Sequence, residues 1–165
     1  MKNSIDDKTA RKIEEILLTA FKDGRSQLFE HEVYGVLELT GISVPETLFI
    51  ENPDEIAKAD LSGFSDSKVV CKLISPDILH RSDYGGIQFI EPETKALSDT
   101  FRKFSDIARE ADAEFSGMMI APRLDINDNI PNQLLLSLRQ EKSFGPVVTM
   151  GLGGLGTEVY KDSLK

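Results

Sequence analysis

Within the fourteen residues that follow Lys72 stand His80, Arg81, Ser82, Gly85 and Gly86. These are the residue types from which a phosphate site is built. Lysine and arginine bring positive charge, a hydroxyl brings a further donor, and glycine lets backbone N–H groups come close to an anion. His80 adds a nucleophile, because a neutral imidazole is available near pH 7 and its unprotonated nitrogen can attack phosphorus. A phosphorylated imidazole then needs nearby cations and donors, which Arg81, Ser82 and the Gly85–Gly86 turn can supply. Each residue also has a plainer reading. A strand lysine is commonly a snorkelling edge residue, and a loop histidine is commonly only a surface group. The second histidine, His31, falls on a helix without such company and is assigned a structural or surface role.

A second glycine-rich stretch, Gly151-Leu152-Gly153-Gly154-Leu155-Gly156, matches the G-x-G-x-x-G fingerprint and follows an expected strand. The fingerprint, however, opens a βαβ unit of about 30 residues with an acidic residue about 20 positions on. The nine residues after Gly156 hold neither feature, so a Rossmann reading is set aside. A strand, a glycine turn and a helix starting at Thr157 fit better, with Gly153 and Gly154 offered to an anion at the helix start. A bare glycine loop is the alternative.

These residues need a frame to hold them. Residues 6–22 pattern as an amphipathic helix, with Ile13, Ile16, Leu17 and Ala20 on one stripe, Ser4 or Asp6 as cap and Gly24 as stop. A helix over about 27–40 carries Val33, Val36, Leu37 and Thr40 and ends at Gly41. A short strand is expected at 44–50 and a short helix from Asn52 to about Ala59. The β-branched run Val69–Ile74 predicts a buried strand, and another strand is expected at 87–91. A helix over about 94–111 turns Leu97, Phe101, Phe104 and Ala108 inward. Strands are expected at Met118–Arg123, Gln133–Arg139 and Pro146–Met150. The fold class is mixed α/β, with several adjacent strands late in the chain.

The 165 residues suit one ordinary domain, and 40% apolar with 28% charged residues is a globular composition. Nineteen basic against 28 acidic residues give a net charge of −9, which argues against nucleic-acid and anionic-membrane partners. No apolar run approaches the roughly 20 residues of a membrane span, and the first seven residues lack the apolar core of a signal peptide. The single cysteine, Cys71, cannot form an internal disulfide, so a cytoplasmic protein is expected.

Taken in order, Glu32-Val33-Tyr34-Gly35-Val36-Leu37, Gly41-Ile42-Ser43-Val44-Pro45, Val69-Val70-Cys71-Lys72, the long string Ser75-Pro76-Asp77-Ile78-Leu79-His80-Arg81-Ser82-Asp83-Tyr84-Gly85-Gly86, Phe144-Gly145-Pro146 and Gly151-Leu152-Gly153-Gly154 resemble the ATP-grasp domain of NDP-forming acyl-CoA synthetases. The ADP-forming acetyl-CoA synthetase β subunit is of this type, and succinyl-CoA synthetase is a more distant relative. The resemblance runs from about residue 28 to the end. It implies two α+β lobes that clamp a nucleotide, after an N-terminal helix and linker at 1–25, with residues 26–165 as an ATP-grasp domain truncated before its magnesium-binding end. The activity implied is acid + CoA + ATP ⇌ acyl-CoA + ADP + phosphate, relayed through phosphohistidine.

By the same resemblance Lys72 holds nucleotide phosphates, His80 carries the phosphoryl group, and Gly85 and Gly86 form the adjoining turn. Met119, Ile120 and Ala121 lie near the adenine hinge. ATP or ADP is the implied cofactor, with Mg2+ in a complete enzyme whose metal ligands are not assigned here. A CoA-binding domain or subunit is the implied partner, and a homo-oligomer is left open. Alone, the chain is expected to be inactive. Some positions depart from the pattern: Arg81 stands for a usual lysine, Pro131-Asn132-Gln133 for G-x-E, Ser137 for glycine and Glu141 for aspartate. A second reading is a non-catalytic nucleotide-binding regulatory module, as in the synthetase-like regions of some lysine acetyltransferases.

Overall fold

The computed structural model describes residues 5–64, 68–124 and 134–153. By its internal contacts the chain divides into one unit over Met1–Arg123 and another over Leu124–Lys165. The N-terminal helix over Asp7–Lys22 lies within the first unit.

That unit is built on a four-stranded antiparallel sheet in the order β1-β4-β2-β3, comprising β1 (Leu48–Ile50), β2 (Val69–Ile74), β3 (Ile87–Ile90) and β4 (Gly117–Pro122). Period-two alternation sends side chains of each strand to opposite faces. On one face Val69, Cys71, Leu73, Met118 and Ile120 meet helix α4 (Thr94–Glu110) through Leu97, Phe101, Phe104 and Ala108. All four of those helix residues are buried, as the sequence pattern requires, and Phe101 sets its ring edge-on to Phe115 at 5.0 Å. On the other face Ile74, Met119 and Ala121 pack under Phe29, Tyr34 and Phe49. This second layer is supplied by helix α2 (Glu30–Leu39), which in turn packs on helix α1 (Asp7–Lys22). A four-residue helix, α3 (Pro53–Ile56), sits between β1 and β2 in sequence and anchors Ile56 in the core.

The helix ends follow local chemistry. The Asp6 carboxylate accepts the Thr9 N–H at 2.7 Å, which selects Asp6 as the α1 cap. Gly24 and Gly41 adopt φ +72° and +83°, the left-handed residues that close α1 and α2. Three stripe residues differ from the expectation: Leu17 and Val33 are 51% and 39% exposed, and Thr40 is exposed as well. The inner face of α1 narrows to Ile13, Ile16 and Ala20, with the Ile16 methyl 3.6 Å from where a Gly35 Cβ would stand.

Within the first unit β4 is a central strand. It lies between β1 and β2, paired Phe49↔Met119 and Lys72↔Met119. The second unit contributes an antiparallel ribbon of β5 (Leu134–Glu141) and β6 (Gly145–Leu152). There Ser137 and Thr149 share a cross-strand hydroxyl contact of 2.7 Å, and Arg139 pairs with Glu141 at 2.9 Å. Gly151, expected in a turn, continues the ladder opposite Leu135. Among the described residues no helix is long and apolar enough to cross a membrane.

Candidate functional site

Lys72 is not an edge residue. β2 lies inside the sheet, flanked by β4 and β3, so Lys72 has Met119 on one side and Ile87 on the other. Alternation places it on the α2 face with Ile74, Met119 and Ala121. Its side chain is 24% exposed. A lysine there must carry its charge to a partner, and the partner is Glu30 at the start of α2. The Lys72 ammonium donates to Glu30 Oε1, Arg81 Nη1 donates to Oε2 at 2.9 Å, and the Tyr34 hydroxyl donates to Oε1 at 3.1 Å. Both oxygens of one carboxylate thus collect three donors from a strand, a loop and a helix.

Burial alone would raise the Glu30 pKa. The hydrogen bonds and charges of Lys72, then of Arg81, outweigh it and hold the carboxyl below its ordinary value. Burial and the adjacent Glu30 charge push the Tyr34 phenol up to about 12, so it remains a donor.

The loop between β2 and β3 stands on two footings. At its start, buried Ser75 accepts the N–H groups of Asp77 and Ile78 at 3.1 and 3.3 Å, and Ile78 is itself a core residue. Asp77 accepts the Glu114 N–H at 2.8 Å. At its end, a short 3-10 turn over Arg81–Tyr84 closes on Gly85 at φ +71°. A Cβ at Gly86 would stand 3.1 Å from both the Arg81 carbonyl oxygen and Leu73 Cβ. Between these footings Leu79 and His80 are exposed, with His80 immediately before the turn. Ser82 is exposed as well.

The glycine pair was expected to offer N–H groups to an anion, but both are spent within the loop. Gly85 N–H donates to the Ser82 carbonyl at 3.1 Å and Gly86 N–H to the Arg81 carbonyl at 2.8 Å. The Gly86 carbonyl in turn accepts the Leu73 N–H at 2.8 Å. What the glycines provide is a turn tight enough to bring Arg81 back over β2. The donors left for an anion are side chains, Lys72 and Arg81 foremost.

Of the residues expected near an adenine hinge, Met119 and Ala121 share the Lys72 face, buried beneath Phe29, Tyr34 and Phe49, while the Ile120 side chain points into the α4 core. Ile120 could act only through its backbone. Gly153 follows β6 in the second unit, and Gly154 lies outside the described residues, as do Thr157 and Pro131-Asn132-Gln133. Among the described residues no group of three histidine, cysteine or acidic side chains is arranged to hold a metal ion.

Sequence patterning missed Glu30 and Tyr34 as site residues, and it missed Arg25. The Arg25 guanidinium grips Glu32 with two bonds of 2.7 Å and lies 4.0 Å over the Phe29 ring, fixing the entry to α2 just before Glu30. His31 stacks on Phe49 with ring centroids 3.8 Å apart, and burial lowers its pKa. A cavity of about 680 Å³ beside these residues includes Arg81 but neither Lys72 nor His80. Asp23, Glu32, Glu51, Asp77 and Glu114 rim it, a poor lining for a polyphosphate.

Three comparisons bear on this arrangement. The β subunit of ADP-forming acetate–CoA ligase I of Pyrococcus furiosus is 33% identical over 153 residues, covering 92% of this chain and 63% of the relative. ADP-forming 4-hydroxybutyrate–CoA ligase of Nitrosopumilus maritimus is 31% identical over 144 residues, covering 86% of the chain and 20% of the relative. The chain thus spans less than two thirds of either. The dinucleotide-forming acetyl-coenzyme A synthetase 1 of Candidatus Korarchaeum cryptofilum, solved with coenzyme A and Ca-AMPCP, superposes with a TM-score of 0.69 at 25% identity, over 89% of this chain and 62% of that one. Residues 19–164 match the ATP-grasp domain, and the chain belongs to that family.

Proposed function

We propose that this chain is the nucleotide-binding part of an ADP-forming acyl-CoA ligase, in which Lys72 and Arg81 hold nucleotide phosphate and His80 carries a phosphoryl group. The observation that supports this most is the convergence of Lys72 and Arg81, nine residues apart, on a single anionic point, with His80 exposed next to Arg81. The relatives add the chemistry by their names: an acetate–CoA ligase subunit, a 4-hydroxybutyrate–CoA ligase, and a synthetase solved with an adenine nucleotide analogue and coenzyme A. Their acids differ, and the acyl group of this chain's ligase is left unassigned.

Phosphoryl transfer asks the protein mainly for positioning and charge neutralisation. In the ATP-forming direction, ADP attacks the phosphorus held on the His80 ring nitrogen. The N–P bond breaks, its electron pair returns to the ring, the ring takes up a proton from solvent to become neutral imidazole, and the new P–O bond completes ATP. In reverse the imidazole nitrogen attacks the terminal phosphorus, ADP leaves with the bridging oxygen's electrons, and the ring proton passes to solvent. Lys72 and Arg81 neutralise oxygens that gain charge along the way. An ADP-forming ligase of this type also needs a CoA-binding domain or subunit, and a cytoplasmic setting fits the lone, deeply buried Cys71 thiol.

The test is labelling. With the remaining ligase parts supplied and γ-labelled ATP added, label is expected on this chain in an acid-labile, base-stable form that His80→Asn abolishes. Label of the same stability persisting in that variant removes His80 as carrier.

A further inference from the structure

The Lys72–Arg81 seat already holds an anion of the chain's own. Among the described residues the salt bridges of both cations run to Glu30 and to nothing else. Two positive charges therefore face one negative charge, and the seat keeps an excess of one. A terminal phosphate carries roughly −1.5 to −2 near neutral pH, so it would match the pair better than the carboxylate does. It would also present oxygens with the same spacing logic, one for each cation. Glu30 is only 21% exposed, yet it sits at the first residue of α2, where a displaced carboxylate remains favoured by the helix N-terminus.

We propose that Glu30 is the resting occupant of the phosphate seat formed by Lys72 and Arg81, and that a nucleotide phosphate exchanges with it on binding. The inference rests on the reading of those two cations as phosphate ligands and adds an internal competitor to it. While the seat is empty of ligand, Glu30 keeps two like charges together that would otherwise repel, and holds Arg81 in place. On binding it must yield, so part of the phosphate's interaction energy is spent on displacing it. Tyr34, which donates to the same carboxylate, stabilises the resting arrangement.

The experiment is calorimetric titration of the chain with ADP and magnesium, for wild type, Glu30→Gln, Tyr34→Phe and Lys72→Met. Glu30→Gln removes the competing charge and is expected to tighten binding by about tenfold or more, the scale of one charge-assisted hydrogen bond. Tyr34→Phe is expected to shift affinity in the same direction by a smaller factor. Unchanged or weaker binding by a folded Glu30→Gln, with Lys72→Met weakened, overturns the competitor role and leaves the phosphate reading standing. Should Lys72→Met bind as wild type does, the phosphate reading fails and this inference fails with it. If Glu30→Gln does not fold, Tyr34→Phe decides, since it leaves all three charges in place: tighter binding supports exchange, weaker or equal binding refutes it. No binding by any of the folded proteins refutes both.

Discussion

Lys72→Met is the sharpest perturbation of the proposed site. It deletes the ammonium while keeping an apolar stem between the cross-strand neighbours Met119 and Ile87, so strand packing is preserved. Two effects are expected, and they are separable. The first is on stability. An exposed ion pair contributes about 0–1 kcal/mol and breaking a fully buried one costs about 3–5 kcal/mol. Lys72 and Glu30 are 24% and 21% exposed, and Glu30 keeps Arg81 and Tyr34 as donors. A loss of about 1–2 kcal/mol follows, or roughly 2–8 °C in melting temperature for a chain of this size. The second effect is on nucleotide binding, where one charge-assisted hydrogen bond lost is about 1.5–3 kcal/mol, or roughly 10- to 150-fold in Kd. Denaturant titration reads the first and calorimetry with ADP the second. A variant that loses stability as expected yet binds nucleotide with wild-type affinity would show that Lys72 merely ties α2 to the sheet.

The remaining expectations concern the supports of the site. Gly86→Ala places a methyl 3.1 Å from the Arg81 carbonyl and from Leu73 Cβ, so a loss of about 1–3 kcal/mol in urea unfolding is expected from overpacking; a neutral result would mean that the loop end can shift freely. His31→Phe keeps the stack on Phe49 and removes a titrating group. Burial holds the folded His31 pKa below its unfolded value near 6.5, so the unfolded chain binds the extra proton first. Wild-type stability therefore falls as pH drops from about 6.5 toward the folded pKa. The variant should lack that slope, and parallel pH–stability profiles for the two proteins would refute it. Below that window both should weaken further, because Glu30 and Glu32 have lowered pKa values and their contribution is lost as pH falls through them.

How much of this was legible from residue order depends on the range of the interaction. The Val69–Ile74 run announced β2, and the three- and four-residue spacing of Leu97, Phe101, Phe104 and Ala108 announced α4, because both signals are local and both faces found a core. Glycines at 24 and 41 announced helix ends for the same reason. The strand at 44–50 shortened to Leu48–Ile50 since β1 pairs only with Met118–Ile120 at the sheet's edge. Gly151 reads locally as turn, yet the β5 ladder takes it, and tertiary pairing overrides a weak propensity. The Lys72–His80–Arg81 spacing was legible because strand, loop and return turn are contiguous. Glu30 was not: it lies 42 residues from Lys72 and 51 from Arg81, and no periodicity links an acid on one helix to two cations on a strand and a loop.

That blind spot has a physical lesson for sites of this kind. Residue types reveal where positive charge is gathered, but a protein cannot leave two cations together on a half-buried face without a counter-charge while the ligand is away. The counter-charge need only be close in the fold, so it can come from any element that packs over the strand. Here α2 brings it, and the helix is aimed by Arg25, whose grip on Glu32 and Phe29 fixes the turn in which Glu30 begins. The cation pair, its internal anion and the arginine that aims that anion therefore form one mechanical unit, and on the proposed reading the affinity of the seat for phosphate would be set as much by how firmly Glu30 is held as by Lys72 and Arg81 themselves.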